Sequence, residues 1–365
     1  MAGLYLHFPF CRTKCHYCDF YSVTGYGDVP GFLSCLEREM KLRAGMLAGE
    51  RIDTVYFGGG TPSLMDPERI RRFLDEARSL FSFLDKPEIT LEANPNTLTA
   101  ERLDGFRRAG INRISIGVQS FHRLELALLG RSHTVRDAQT AVAMARRTGF
   151  DSTGLDLIYG LPGQTEDTWR ETLDLALALE PDHLSAYALT LSSTSRMGRW
   201  VQAGTFPKPD EELAAELFLM TSSVLTRHGY EQYEVSNFAK PGMRSRHNDS
   251  YWTGSSYLGL GPSAHSFHGR TRCWNTADLA KYRAALDMDR SPVEGEETLT
   301  DDQRFLESVT LGLRRREGVP IRLLKNKVRS MLELVESGHG VVTGDRFGLT
   351  AKGMLMADAV SERLV

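Results

Sequence analysis

The chain has 365 residues, a formal net charge of -3, 41% hydrophobic and 25% charged residues. That is enough chain to bury a sizeable core in two domains, or one with an appendage, and the near-neutral balance gives no reason to expect a nucleic-acid partner, which usually needs a basic surface. No apolar run approaches the ~20 residues that span a bilayer, and the N-terminus has no basic stretch leading into a long apolar one, so the expected location is the cytoplasm.

Six short apolar runs rich in β-formers come first: Leu4–Phe8, Thr54–Phe57, Ile89–Ala93, Arg113–Val118, Leu155–Tyr159 and Leu184–Leu189. Each leads through a loop into a stretch of helical period. Asp66-Pro67-Glu68 supplies a cap, a first-turn proline and an acid, and Ile70, Phe73, Leu74 and Ala77 then share a face. Thr134 with Asp137 reads as a capping box, and Gly149 as a stop. Strand–helix alternation implies a parallel sheet covered by helices. A closed barrel takes about eight such units, so six predict an α/β fold with an open, partial (β/α)6 TIM-like barrel over residues 1–205. Residues 192–210 read as a turn-rich linker. An accessory domain, 206–300, begins with a helix from about Glu211 to His228 stopped by Gly229, then a strand at Tyr230–Phe238. Arg244–Gly261 looks loop-like. Residues 301–365 form a small winged-helix-like unit, with the runs Gly340–Thr343 and Phe347–Thr350 joined by Gly344-Asp345-Arg346.

Three of the five cysteines are packed into Cys11-x3-Cys15-x2-Cys18, directly after the first predicted strand. An odd count in a reducing compartment argues against a disulfide framework, and so tight a cluster reads as a metal site. Four thiolates saturate an iron–sulfur cubane, so three leave one iron open. An open iron can chelate an amino acid through its amine and carboxylate, as in S-adenosylmethionine, and pass an electron to its sulfonium. The alternative is zinc, which takes four ligands, usually in C-x2-C pairs; His16 sits awkwardly for the fourth. The spacing resembles the signature of the radical S-adenosylmethionine superfamily, with Tyr17 in its aromatic position. Cys35 and Cys273 stand alone and read as structural.

The other predicted strands end in polar groups. The second runs into Gly58-Gly59-Gly60-Thr61-Pro62, where glycines let backbone approach a ligand. Glu92, Gln119 and Asp156 each interrupt an apolar run. Acids in buried strands need partners: either ion pairs with Arg113 or Arg131, or a polar ligand. The fragments GGGTP, LEANP, GVQSF and DLIYGLPGQT, in this order, resemble the coproporphyrinogen dehydrogenase branch of the superfamily. The resemblance implies that Tyr5, Tyr17, Gly59, Gly60, Thr61, Glu92, Gln119, Arg131 and Asp156 line an S-adenosylmethionine site. Thr190 and His265 fall near further contact positions.

That branch contains an oxygen-independent dehydrogenase, which decarboxylates coproporphyrinogen, and HemW-type heme chaperones. Three features favour the chaperones. Phe20 stands where the dehydrogenase has a further cysteine, ten residues precede Cys11, and His247-Asn248-Asp249-Ser250-Tyr251-Trp252 matches the chaperone motif HNxxYW. The resemblance then implies three bound groups, the [4Fe–4S] cluster, S-adenosylmethionine and heme. It assigns no catalytic residue and leaves open whether S-adenosylmethionine is cleaved. His247 is the candidate heme ligand, a role for neutral imidazole, with Tyr251 and Trp252 offering flat faces and Arg244 and Arg246 available to propionates. His265 and His268 are alternative ligands. Implied partners are heme-receiving apoproteins, respiratory membrane proteins among them, with peripheral membrane contact during delivery and a homodimer in some states. The dehydrogenase is the runner-up function. A remote third, nucleic-acid binding through Arg314-Arg315-Arg316, competes with a plain solvated helix end.

Overall fold

A computed structural model describes residues 1–25 and 29–365. Six strands, β1 (Ala2–Phe8), β2 (Arg51–Gly59), β3 (Ser82–Ala93), β4 (Arg113–Gln119), β5 (Ser152–Tyr159) and β6 (His183–Ala188), lie side by side in sequential order. All five of their pairings are parallel. Parallel strands covered on both faces read as buried runs; β4 is buried from end to end. The crossovers are helical: α1 (Val29–Arg43), α2 (Pro67–Leu80), α3 (Ala100–Ala109), then α4 (Arg123–Leu128) with α5 (Val135–Thr148), and α6 (Glu166–Ala178). Their starts follow from local chemistry. The Asp66 side chain accepts from Glu68 N–H at the head of α2, and Thr134 and Asp137 form a reciprocal capping box on α5. Gly149 closes α5 with φ 78°, a left-handed geometry that glycine adopts without strain.

Six units do not close a barrel, and the sheet continues past both edges. Beyond β6 come two short antiparallel strands, β7 (Glu231–Gln232) and β8 (Asn237–Ala239), with β8 against β6. The single strand expected at Tyr230–Phe238 is thus a tight hairpin: Glu234 accepts from Ser236 N–H and turns the chain. Beyond β1 lie β9 (Ser256–Leu260), β10 (His265–His268), β11 (Thr271–Asn275) and β12 (Val293–Thr298). The stretch that looked loop-like therefore holds a helix, Arg246–Trp252, capped by Ser245, and then β9, which pairs parallel with β1. Its glycines and serines hide a strand that exists because β1 offers an open edge.

A buried polar cluster ties this extension to α1. Arg43 donates to Glu39 at 2.8 Å, and also to Gly259 O, Asn275 and Ser266. The other Glu39 oxygen accepts from Tyr282 OH and Gly261 N–H. Charges this deep are tolerated when they are paired and hydrogen-bonded, and here both Arg43 Nη atoms and both Glu39 oxygens have partners. At the C-terminus the hairpin Gly340–Thr343 and Arg346–Leu349 packs with the helix Val328–Glu336 as a winged-helix-like unit. Its approach to the rest of the chain uses the arginine run: Arg315 pairs with Asp249 at 2.8 Å, and the Arg314 guanidinium lies 4.9 Å from the centre of the Trp252 ring.

Candidate active site

Ligands of open parallel α/β folds gather at the C-terminal strand ends. A cavity of about 440 Å³ opens there, and Cys11, Cys15 and Cys18 all line it. Of the other expected site residues, Tyr17, Gly59, Gly60, Thr61, Glu92, Gln119, Arg131, Asp156 and Thr190 face the same cavity. Tyr5 and His265 face a separate, neighbouring groove.

The cysteine loop is held close to the strand ends. A side chain on Gly60 would come within 2.7 Å of Phe10 O and 3.0 Å of Cys11 Sγ, so only glycine lets the loop sit here. Thr61 Oγ1 donates to Cys11 Sγ at 3.5 Å, and Arg131 Nη1 to Cys15 Sγ at 3.4 Å. Burial pushes the Cys18 thiol up to about 11, reinforced by its two neighbours, and raises Cys11 as well. The three sulfurs line one cavity, but among the described residues no three metal-binding side chains converge as a single-ion site would need. His16 turns away, with Nδ1 on Leu128 O and its ring edge-on to Trp200. Three thiols around a space suit a cubane with one open corner better than a mononuclear ion.

Arg113 and Arg131 lie near enough to Asp156 to oppose the rise that burial gives its carboxyl, but neither closes on it as an ion pair among the described residues. Nor does an ion pair among them join Glu92 to either arginine. Arg113 instead donates to Ser152 and Met243 O. Glu92 accepts from Tyr56 OH at 2.8 Å, and burial pushes its carboxyl up to about 7. Burial also raises Asp156, although Ser115 donates to it at 3.0 Å. Arg131 donates to Gly117 O, and its Nε and the Asn94 Oδ1 find no partner among the described residues. Gln119 has φ 71°, a left-handed backbone rare outside glycine, and such strain gathers at functional sites. Half-buried acids with no direct ion pair, orphaned polar atoms and local strain, all in one wall, are the marks of a ligand pocket.

The Radical SAM superfamily matches residues 5–176. Proteins named heme chaperone HemW are 39% identical in Mycobacterium tuberculosis, over all of this chain and 94% of the relative, and 35% identical in Bacillus subtilis, over 91% and 88%. The chain belongs to the HemW family of the radical SAM superfamily. The solved coproporphyrinogen III oxidase of Escherichia coli, a radical SAM enzyme, superposes with a TM-score of 0.84 at 26% identity, covering all of this chain and 89% of that one.

The HemW-type motif His247–Trp252 sits where the sequence did not suggest. Its helix plugs the N-terminal mouth of the barrel. His247 is 1% exposed, with Nδ1 bonded to Thr54 Oγ1 at 2.7 Å and Nε2 to Tyr251 OH at 2.8 Å. Its backbone N–H donates to Glu88, and its ring stacks 4.9 Å from Tyr56. Arg246 pairs with Asp53, and Arg244 with Glu231 and Glu317. Asn248 reaches up to line the cysteine cavity, Tyr251 lines the neighbouring groove, and Trp252 faces the C-terminal unit. Sequence reasoning missed Tyr56, Ser115, Ser185, Tyr187 and Asn248 in the cavity wall. The signal for one was present: Ser115, Gly117 and Gln119 alternate with Ile114, Ile116 and Val118, so they share a face.

Proposed function

We propose that this HemW-family chain holds a [4Fe–4S] cluster on Cys11, Cys15 and Cys18, binds S-adenosylmethionine beside it, and works as a chaperone that passes heme to apoproteins, respiratory ones included. The observation that carries the cofactor part is the single cavity that gathers three cysteines with Glu92, Asp156 and Arg131. When bound, such a cluster supplies an electron to the sulfonium of its ligand. The chain's own residues do the holding. Arg131 offers a charge-assisted contact for a carboxylate, Glu92 and Asp156 accept from hydroxyl or amine groups, and Gly59 and Gly60 bring backbone close. The heme part is supported by full-length similarity to proteins named for that role.

A second reading is decarboxylation of coproporphyrinogen, favoured by the likeness to the Escherichia coli oxidase. Phe20, 64% exposed at the rim of the cavity, stands against it, because it replaces the further cysteine of that enzyme type. Anaerobically reconstituted chain should bind hemin saturably, transfer it to an apoprotein, and leave coproporphyrinogen unchanged. Steady formation of protoporphyrinogen, with no heme transfer, would make the enzyme reading correct.

A further inference from the structure

The sheet extension past β1 creates a second recess that the cofactor site does not use. It is a groove of about 420 Å³, within the roughly 300–1,000 Å³ of small-molecule sites. Gly3 of β1 lies beside Tyr257 of β9, which lies opposite Phe267 of β10. By the two-residue period of strands, Tyr5 and His7 of β1, Tyr257, and His265 of β10 share one face. Phe20 and Asp19, next to the last cysteine, line both this groove and the cysteine cavity. The walls are flat and aromatic: Tyr5, Tyr21, Tyr251 and Tyr257. Phe20 stands exposed between the two spaces.

Several polar ends of that wall are already engaged. His7 Nε2 bonds Tyr21 O at 2.8 Å and its Nδ1 meets Tyr5 OH at 3.2 Å. Tyr251 OH is held by His247, and Tyr251 packs edge-on to Tyr257 with ring centres 4.8 Å apart. His265 differs. Its ring lies 6.1 Å from that of Trp274, it is exposed, and among the described residues its ring nitrogens make no hydrogen bond.

We propose that this groove is the seat of a planar metal–tetrapyrrole, with the His265 imidazole as axial ligand and His247 holding Tyr251 in the wall. The inference rests on the heme reading above and assigns the place where that cargo sits. Aromatic faces match the apolar faces of a macrocycle, and an open coordination position takes an imidazole. No Lys or Arg occurs among the described lining residues. The seat therefore grips the ring and leaves its carboxylates outward, as suits a cargo that must leave again. His247 itself, enclosed and bonded at both ring nitrogens, would need its plug helix withdrawn to reach a metal.

The test titrates hemin into full-length, cluster-loaded wild type, His265→Ala and His247→Gln, with iron and sulfide content reporting an intact fold. His265→Ala should shift the Soret band and weaken binding by at least about tenfold, the lower end of what even an outer partner contributes to a metal site. Free imidazole should restore the wild-type band in that variant. His247→Gln should keep the wild-type band position. Saturable hemin binding with an unchanged spectrum in His265→Ala, or loss of the band in His247→Gln alone, overturns this seat while the chaperone reading stands. No saturable binding by wild type overturns the heme reading, and the seat with it.

Discussion

Replacing Glu92 by glutamine separates what this residue does for the fold from what it does for a ligand. Its carboxyl is pushed up to about 7, first by burial, with Asp156 nearby adding to the rise and the bond from Tyr56 opposing it. A carboxyl whose folded pKa is raised binds its proton more tightly in the folded state. Its contribution to stability is therefore complete below the ordinary carboxylate pKa, and it is lost as pH rises through about 7. Each pH unit of that rise corresponds to about 1.4 kcal/mol. Because the side chain borders an open cavity, solvent screens part of this, and roughly 1–3 kcal/mol is the expected cost of the carboxylate at pH 8. The substituted amide is uncharged and keeps an oxygen for Tyr56 OH. Glu92→Gln should thus raise the urea stability of the cofactor-free chain at pH 8 by that amount and at pH 5 by only about a quarter of it. The same change should weaken S-adenosylmethionine binding to cluster-loaded chain, where an acceptor with full charge is wanted. Equal effects on stability at both pH values, or destabilisation at pH 8, would refute the account of Glu92 as an uncompensated buried acid kept for a ligand.

Other outcomes follow from the same geometry. Anaerobic reconstitution should load about four irons and four sulfides per chain; serine at Cys11, Cys15 or Cys18 should abolish most of this, while Cys35→Ser and Cys273→Ser should retain it, and stoichiometric zinc without iron would contradict the cubane. Asp156→Ala removes the acceptor for Ser115 and, by calorimetry on cluster-loaded chain, should cost S-adenosylmethionine binding ~1–3 kcal/mol; unchanged affinity would move the pocket elsewhere. Glu39→Ala strands the buried Arg43 and should destabilise the fold by about 3–5 kcal/mol in urea titrations, with an effect under about 1 kcal/mol marking the pair as dispensable.

Local patterns determined much of this protein before any tertiary information. Six buried runs with capped helices between them specify a partial barrel, because strand and helix periods and caps are properties of neighbouring residues. The cysteine spacing and the polar interruptions at Glu92, Gln119 and Asp156 mark the site, since burying such groups without a purpose is costly. Other features depend on partners far along the chain. Ser256–Leu260 is a strand only because β1 has an open edge to receive it. Whether Glu92 and Asp156 pair with arginines or stand alone was undecidable from order along the chain; among the described residues neither forms an ion pair, although Arg113 and Arg131 lie near Asp156. The histidine of the HNxxYW motif reads in sequence as an available ligand, whereas folding encloses it between Thr54 and Tyr251. Exposure is a property of the assembled barrel, so only the tertiary structure could distinguish enclosed His247 from His265 at the groove.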